Sequence, residues 1–452
     1  MRLRLGFAAA AMCLLVSSAL AQSKLPKVKF TDYRLKNGLR VILSTDRNAP
    51  VVAVSVTYNV GSRDERPGRS GFAHLFEHLM FQGSENVGRG EHFAQINDNG
   101  GTFNGTTNQD RTNYFCTLPA NQLELGIFLE ADRMRALDIS QDNLNNQRLV
   151  VQEERRQRTD NVPYGSSFET LLEAAFTKFS YKHSTIGSME DLNAATLQDV
   201  RDFFKTYYAP NNACIAIVGD FDLNKAKRLI EKYFGPIPSG PKPPAVDWEE
   251  PPSAQEIRKE VSDRLARMTR YAAAYKTVPG DHPDYYALSL LGSILSRGRT
   301  GRLYEPLVEK RLAFGANAGI QESRGASLFN IGAMIAPGSS VEKVEAALDH
   351  EIGRIQVDGV SAEELEKAKT QARIGSIQRF STALSKANAL TQNAIYYNDP
   401  GRLNTYTERL DKVTLEDIKR VAQKYLVKSN RVVVITKSGA PIRFPGGDFD
   451  VP

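Results

Sequence analysis

Thr196-Leu197-Gln198-Asp199-Val200-Arg201 returns, 218 positions later, as Thr414-Leu415-Glu416-Asp417-Ile418-Lys419. Each copy opens with a threonine able to cap a helix and carries, three residues on, an aspartate able to close a capping box. The correspondence continues at Tyr207 and Tyr425, at Asn212 and Asn430, and in the apolar runs from Cys214 to Val218 and from Val432 to Ile435. A unit of capped helix and β-strand therefore closes each half of the chain, and the spacing predicts a duplicated fold.

The boundary between the halves is visible. From Gly235 to Pro252 the chain reads Gly-Pro-Ile-Pro-Ser-Gly-Pro-Lys-Pro-Pro-Ala-Val-Asp-Trp-Glu-Glu-Pro-Pro, which sustains neither helix nor sheet. At the other end, Arg2 and Arg4 precede a short apolar run, and Ala19-Leu20-Ala21 forms a small-residue cleavage site. The expected organisation is a signal peptide at 1–21, a first domain at 22–235, a Pro-rich linker at 236–254 and a second domain at 255–452. The leader predicts export, with the periplasm the expected compartment, and no later segment approaches the length of a membrane span.

Within the first half the pattern predicts a hairpin around Asn37-Gly38, a strand from Val51 to Val60, helices over 71–82 and 90–98, and paired strands over 102–107 and 111–118. Helices over 121–136, 141–158 and 166–178 follow. The second half repeats the order with a strand over 270–275, a helix over 282–297 and strands over 313–336. Strands interrupted by runs of helices predict an α+β fold of two similar domains, each with helices packed on a mostly antiparallel sheet. Of three cysteines, Cys13 falls in the leader, and Cys116 and Cys214 fall in apolar strands, where two buried thiols are expected. The formal net charge of +6 is spread along the chain and gives no reason to expect nucleic acid.

The chemistry is concentrated in His74-Leu75-Phe76-Glu77-His78. Residues four apart lie one turn above each other on a helix, so the two imidazoles can hold one ion, and Glu77 between them can reach a water on it as general base. Two satisfied core histidines with a chance glutamate would explain the pattern more plainly, but the apolar run Phe72 to Met80, with Ser70 or Gly71 to cap it and Gly83 to end it, makes a credible buried helix. A catalytic zinc takes three protein ligands, and Glu154 is the best third candidate, four residues after Val150 in a helix expected to bury Leu149 and Val150. Glu153 is one step off that line, where a surface ion pair with Arg156 would account for it.

These residues, with Val150-Val151-Gln152-Glu153-Glu154, resemble the pitrilysin family of zinc metallopeptidases, the inverzincins, in the branch related to the beta subunit of the mitochondrial processing peptidase. Leu35-Lys36-Asn37-Gly38-Leu39-Arg40-Val41, Gly61-Ser62-Arg63-Asp64-Glu65, His78-Leu79-Met80-Phe81-Gln82-Gly83 and Tyr208-Ala209-Pro210-Asn211-Asn212 agree. The resemblance implies zinc ligands His74, His78 and Glu154, one ion per chain, Glu77 as the base, and two similar domains walling a chamber for unfolded peptides. It also implies that Gly101-Thr102-Phe103-Asn104-Gly105-Thr106 is a strand along which substrate adds, with Asn104 a candidate contact unless Asn104-Gly105 is simply a turn.

The departures are informative. Many relatives carry a second glutamate two turns before the ligand; here it is Gln147, able to hydrogen-bond behind the ligands without adding charge. The 218-residue offset places Gly292, Ser296 and Ala372 opposite the three ligands, so no second metal site is expected. Active relatives also carry an arginine and a tyrosine in the second half that face the zinc, but the corresponding run Leu307-Val308-Glu309-Lys310-Arg311-Leu312-Ala313-Phe314-Gly315 supplies Val308 and Phe314, which donate no hydrogen bond. The expectation is an exported zinc endopeptidase paired with a related zinc-less subunit that supplies the arginine and tyrosine, a homodimer being the simpler assembly. The alternative is a catalytically weak peptide-binding or assembly subunit of the same fold.

Overall fold

The computed structural model describes residues 27–439, so the leader at 1–21 lies outside the described part. Two sheets organise it. The first contains Thr31–Arg34 (β1), Arg40–Thr45 (β2), Val51–Tyr58 (β3), Thr102–Thr107 (β4), Thr112–Pro119 (β5) and Ala213–Gly219 (β6), in the order β1-β2-β6-β3-β5-β4. The second contains Ile257–Asp263 (β7), Arg270–Lys276 (β8), Ala313–Gln321 (β9), Leu328–Ile335 (β10) and Arg431–Ser438 (β11), in the order β7-β11-β8-β10-β9. In each, the closing strand runs parallel to one neighbour, β6 beside β2 and β11 beside β7, while every other pair is antiparallel. The α+β fold of two similar units follows.

The repeated unit is the same in its hydrogen bonds. Thr196 and Asp199 form a capping box at the start of Leu197–Tyr207, as Thr414 and Asp417 do at the start of Leu415–Tyr425. Beyond each helix, the Asn212 amide donates to Tyr207 O and the Asn430 amide to Tyr425 O, both at 2.9 Å, turning the chain into its strand. One strand, β7, lacks a signal in the sequence because it is an edge strand whose residues are half-buried or exposed and mostly polar.

Each half also lends a helix to the other. Ala383–Tyr397 from the second half covers the outer face of the first sheet, where Ala387, Leu390 and Ala394 pack on Ile42, Ala53, Cys214, Ala216 and Val218. Gly165–Ala175 from the first half covers the second sheet, where Leu171, Leu172 and Ala175 join Ala274, Leu328, Val432 and Val434. Burial of this kind contributes about 25 cal/mol per Å² of apolar surface, so the halves stabilise one another. Residues 236–256, without helix or strand, are tied down as well: Glu250 accepts the Thr177 and Lys178 N–H groups and the Lys276 ammonium. Cys116 and Cys214 are free and buried, and burial pushes both thiols up to about 12.

Candidate active site

The helix expected over 71–82 spans Phe72–Leu79. Phe72, Ala73, Leu75, Phe76 and Leu79 are buried in the first core, which leaves His74, Glu77 and His78 on the remaining face. Neither Ser70 nor Gly71 caps it through a side chain. Gly71, at φ +82°, lies where an added Cβ would come within 2.4 Å of Ile186 O, and the cap is Glu65, which accepts the Gly71 N–H at 2.9 Å and the Ala73 N–H at 2.7 Å. The helix ends four residues before Gly83 because Met80 to Gln82 continue only as a turn.

Glu154 reaches the same place from the helix Gln141–Arg155, but not for the reason the sequence suggests. Leu149 is 65% and Val150 43% exposed. The buried face runs instead through Leu144, Gln147 and Val151, and Glu154, three residues on, extends that line toward the histidines. Glu154 Oε2 lies 3.2 Å from His78 Nε2 and 3.7 Å from His74 Nε2, while Oε1 is held by Arg158 Nη1 at 2.5 Å. Hydrogen bonding from His78 leads the causes that lower the Glu154 pKa. Glu153 points away, exposed and paired with Arg156 at 3.0 Å.

Glu77 faces β4. Burial raises its pKa above the ordinary carboxylate range, and the Thr107 hydroxyl, which donates to Glu77 Oε2 at 2.5 Å, opposes that shift. A Cβ on Gly105 would lie 3.0 Å from Glu77 Cγ and 3.1 Å from Oε1, so glycine lets the strand run this close to the carboxylate. A cleft of about 720 Å³ opens over these groups, lined also by Phe81, Phe93, Phe103, Asn104, Gln147 and Arg158. Asn104 is exposed in the middle of β4, so Asn104-Gly105 is not a turn, and its Oδ1 accepts the Gly105 N–H at 2.8 Å. Gln147 lines the cleft but donates to Asn146 Oδ1 at 2.8 Å rather than to a ligand. Thr107, Arg158 and Glu65 went unassigned from sequence; only Thr107 carried a signal, sharing its strand face with Phe103 and Gly105.

The donor set fits zinc. One donor atom each from His74, His78 and Glu154 lie within 4.8 Å of one another, the only such group of three among the described residues. Two imidazoles and one carboxylate with space beside them match a catalytic rather than a closed structural site. Burial and the neighbouring His78 push the His74 pKa down to about 4, which keeps a lone pair available at neutral pH, as a metal ligand requires.

Residues 40–188 match the family profile described as Insulinase (Peptidase family M16), and residues 194–372 match Peptidase M16 inactive domain. The chain is 30% identical over 437 residues to the zinc protease PqqE of Helicobacter pylori, an alignment covering 96% of this chain and 98% of that one. A crystal structure of a protease from Helicobacter pylori superimposes with a TM-score of 0.86 at 29% identity, covering 91% of this chain and all of that one. The probable mitochondrial-processing peptidase subunit beta of Arabidopsis thaliana is 22% identical over 410 residues, covering 87% of this chain and 75% of that one. With its two-sheet fold, its cleft of two histidines and two glutamates, and these relatives, the chain belongs to the insulinase family of peptidases, peptidase family M16.

Proposed function

We propose that this chain is an exported zinc endopeptidase that cuts peptides or unfolded polypeptide segments. The observation that carries the reading is the convergence of His74, His78 and Glu154 beside a half-buried carboxylate, Glu77, at a strand at the edge of its sheet. Among the described strands β4 pairs only with β5, so an extended peptide can add along its other side and gain main-chain hydrogen bonds without a strong sequence requirement. Held by His74, His78 and Glu154, a zinc ion would supply Lewis acidity to the scissile carbonyl and to the attacking water. Glu77 would take the water's proton and deliver it to the leaving amine, a role favoured by the upward shift that burial imposes on its pKa. Thr107 holds one carboxylate oxygen and leaves the other for that proton.

The oxyanion opposite the metal needs a donor, and the described run that would carry the arginine and tyrosine holds Val308 and Phe314 in their place. Arg302 is committed to Glu364 at 2.6 and 2.8 Å, and Phe314, 62% exposed, carries no donor. We infer a heterodimer in which a related, zinc-less subunit supplies the arginine and tyrosine. Loss of one such donor costs on the order of a hundredfold in rate or more. The chain purified without its leader should therefore bind one zinc and cleave unstructured peptides slowly alone, and quickly once the partner is added. Vigorous cleavage by the isolated chain would overturn the heterodimer, and a chain that binds no zinc would overturn the peptidase reading itself.

A further inference from the structure

The Nδ1 atom of His74 is buried and has no hydrogen-bonding protein partner. A ligating histidine usually has its second nitrogen held by a carboxylate or carbonyl, which fixes the ring's orientation. With that bond missing, the backbone that carries the ring takes a larger share in orienting it, and His74 lies in the first turn of a helix of eight residues. That turn lacks a local cap. Its Gly71 and Ala73 N–H groups are both taken by Glu65, whose side chain is fully buried.

Glu65 is itself held by His183. His183 Nε2 lies 2.8 Å from Glu65 Oε2, its Nδ1 lies 2.8 Å from Phe179 O, and the ring stacks on Phe179 at 4.2 Å. The Phe179 carbonyl can only accept, so Nδ1 carries a proton. The carboxylate already receives two backbone N–H groups, so the contact at Nε2 is a charge-assisted bond that keeps the carboxylate turned toward the helix. A carboxylate at this end is also favoured by the helix dipole.

We propose that Glu65 and His183 form a positioning pair that sets the affinity of the His74-His78-Glu154 site for zinc, by fixing the first turn of the helix that carries His74. The pair touches neither substrate nor metal and acts through the Gly71 and Ala73 N–H groups. It rests on the zinc-peptidase reading above and adds to it a control of metal affinity from outside the cleft.

The test uses the full chain lacking only the leader, with zinc affinity measured by competition against a chelator. His183→Ala and the volume-preserving Glu65→Gln should each weaken zinc binding by about ten- to hundredfold, the range found when an outer partner of a metal ligand is lost. His183→Gln, which keeps a donor facing Glu65, should recover part of that loss. At saturating zinc the variants should regain turnover with an unchanged KM for peptide, a recovery that a damaged fold would not give. Should His183→Ala fail to fold, Glu65→Gln and its KM and kcat carry the test. Zinc affinity equal to wild type in Glu65→Gln, or in a folded His183→Ala, overturns the proposal. Absence of zinc binding in the wild type would overturn the peptidase reading instead.

Discussion

Thr107 and Glu77 are joined across the floor of the cleft: the hydroxyl on β4 donates to the carboxylate on the histidine helix at 2.5 Å. The strand offered to substrate and the proposed base are thus one mechanical unit. Thr107 opposes the upward shift that burial imposes on Glu77, so Thr107→Val should raise the Glu77 pKa further. A base acts when deprotonated, so the acid limb of the pH–activity profile should move to higher pH while zinc content stays constant. An unmoved acid limb would remove Thr107 from the mechanism.

Gly105→Ala probes the same closeness from the strand. The new Cβ would press on Glu77 Cγ at 3.0 Å and Phe81 Cε2 at 3.2 Å. Because about 1 Å of displacement at a catalytic group can cost on the order of a hundredfold, kcat should fall clearly with zinc stoichiometry retained. Steady-state kinetics beside metal analysis decide it; kinetics like wild type would show that the strand gives way freely.

The adjacent glutamates separate cleanly. Glu154→Ala removes the carboxylate of the proposed metal site and should lose zinc by more than the roughly hundredfold typical of an outer partner. Glu153→Ala alters an exposed side chain paired with Arg156 and Gln157, and should bind zinc as wild type does. Chelator competition on the two variants reads the difference, and the reverse result would move the third ligand to Glu153.

The duplicated halves were legible because the Thr196 and Thr414 capping boxes are local chemistry, written within four residues of chain. The histidine pair was legible for the same reason. What escaped was long-range. Leu149 and Val150 look like core residues until the helix docks on the face through Leu144 and Val151, which leaves both facing solvent or the cleft rim. No local pattern announces that Glu65 caps a helix beginning seven residues later with the help of His183, or that Ala383–Tyr397 roofs the other half's sheet. Edge strand β7 escaped because one neighbour and a wet face ask for little apolar sequence.

Two histidines, one half-buried in the cleft and one buried behind it, each add acid sensitivity to the metal-free chain. Burial holds His74 down to about 4 and His92 down to about 2, both below the ordinary histidine value of 6.5. At these two groups, between 6.5 and those values, the unfolded chain binds more protons than the folded one, so their contribution to stability falls as pH drops through this window, while Asp64, raised by burial to about 6, works in the opposite direction. Between pH 7 and pH 5 the Tm of the zinc-free chain should shift less toward destabilisation in His92→Phe than in wild type, if the packing against Phe81 and Phe103 is kept. Equal shifts in both proteins would clear His92 of the effect.

The central claim is that His74, His78 and Glu154 hold zinc while Glu77 moves the proton, and Glu77→Gln tests it most directly. The amide preserves the shape and leaves all three donors in place, but it cannot serve as a base. Zinc content and hydrolysis of an unstructured peptide should be measured on wild type and variant together, each assembled with its partner subunit. Equal zinc and a rate lower by about a hundred- to ten-thousandfold are expected in the variant. Undiminished hydrolysis by Glu77→Gln with zinc bound would contradict it.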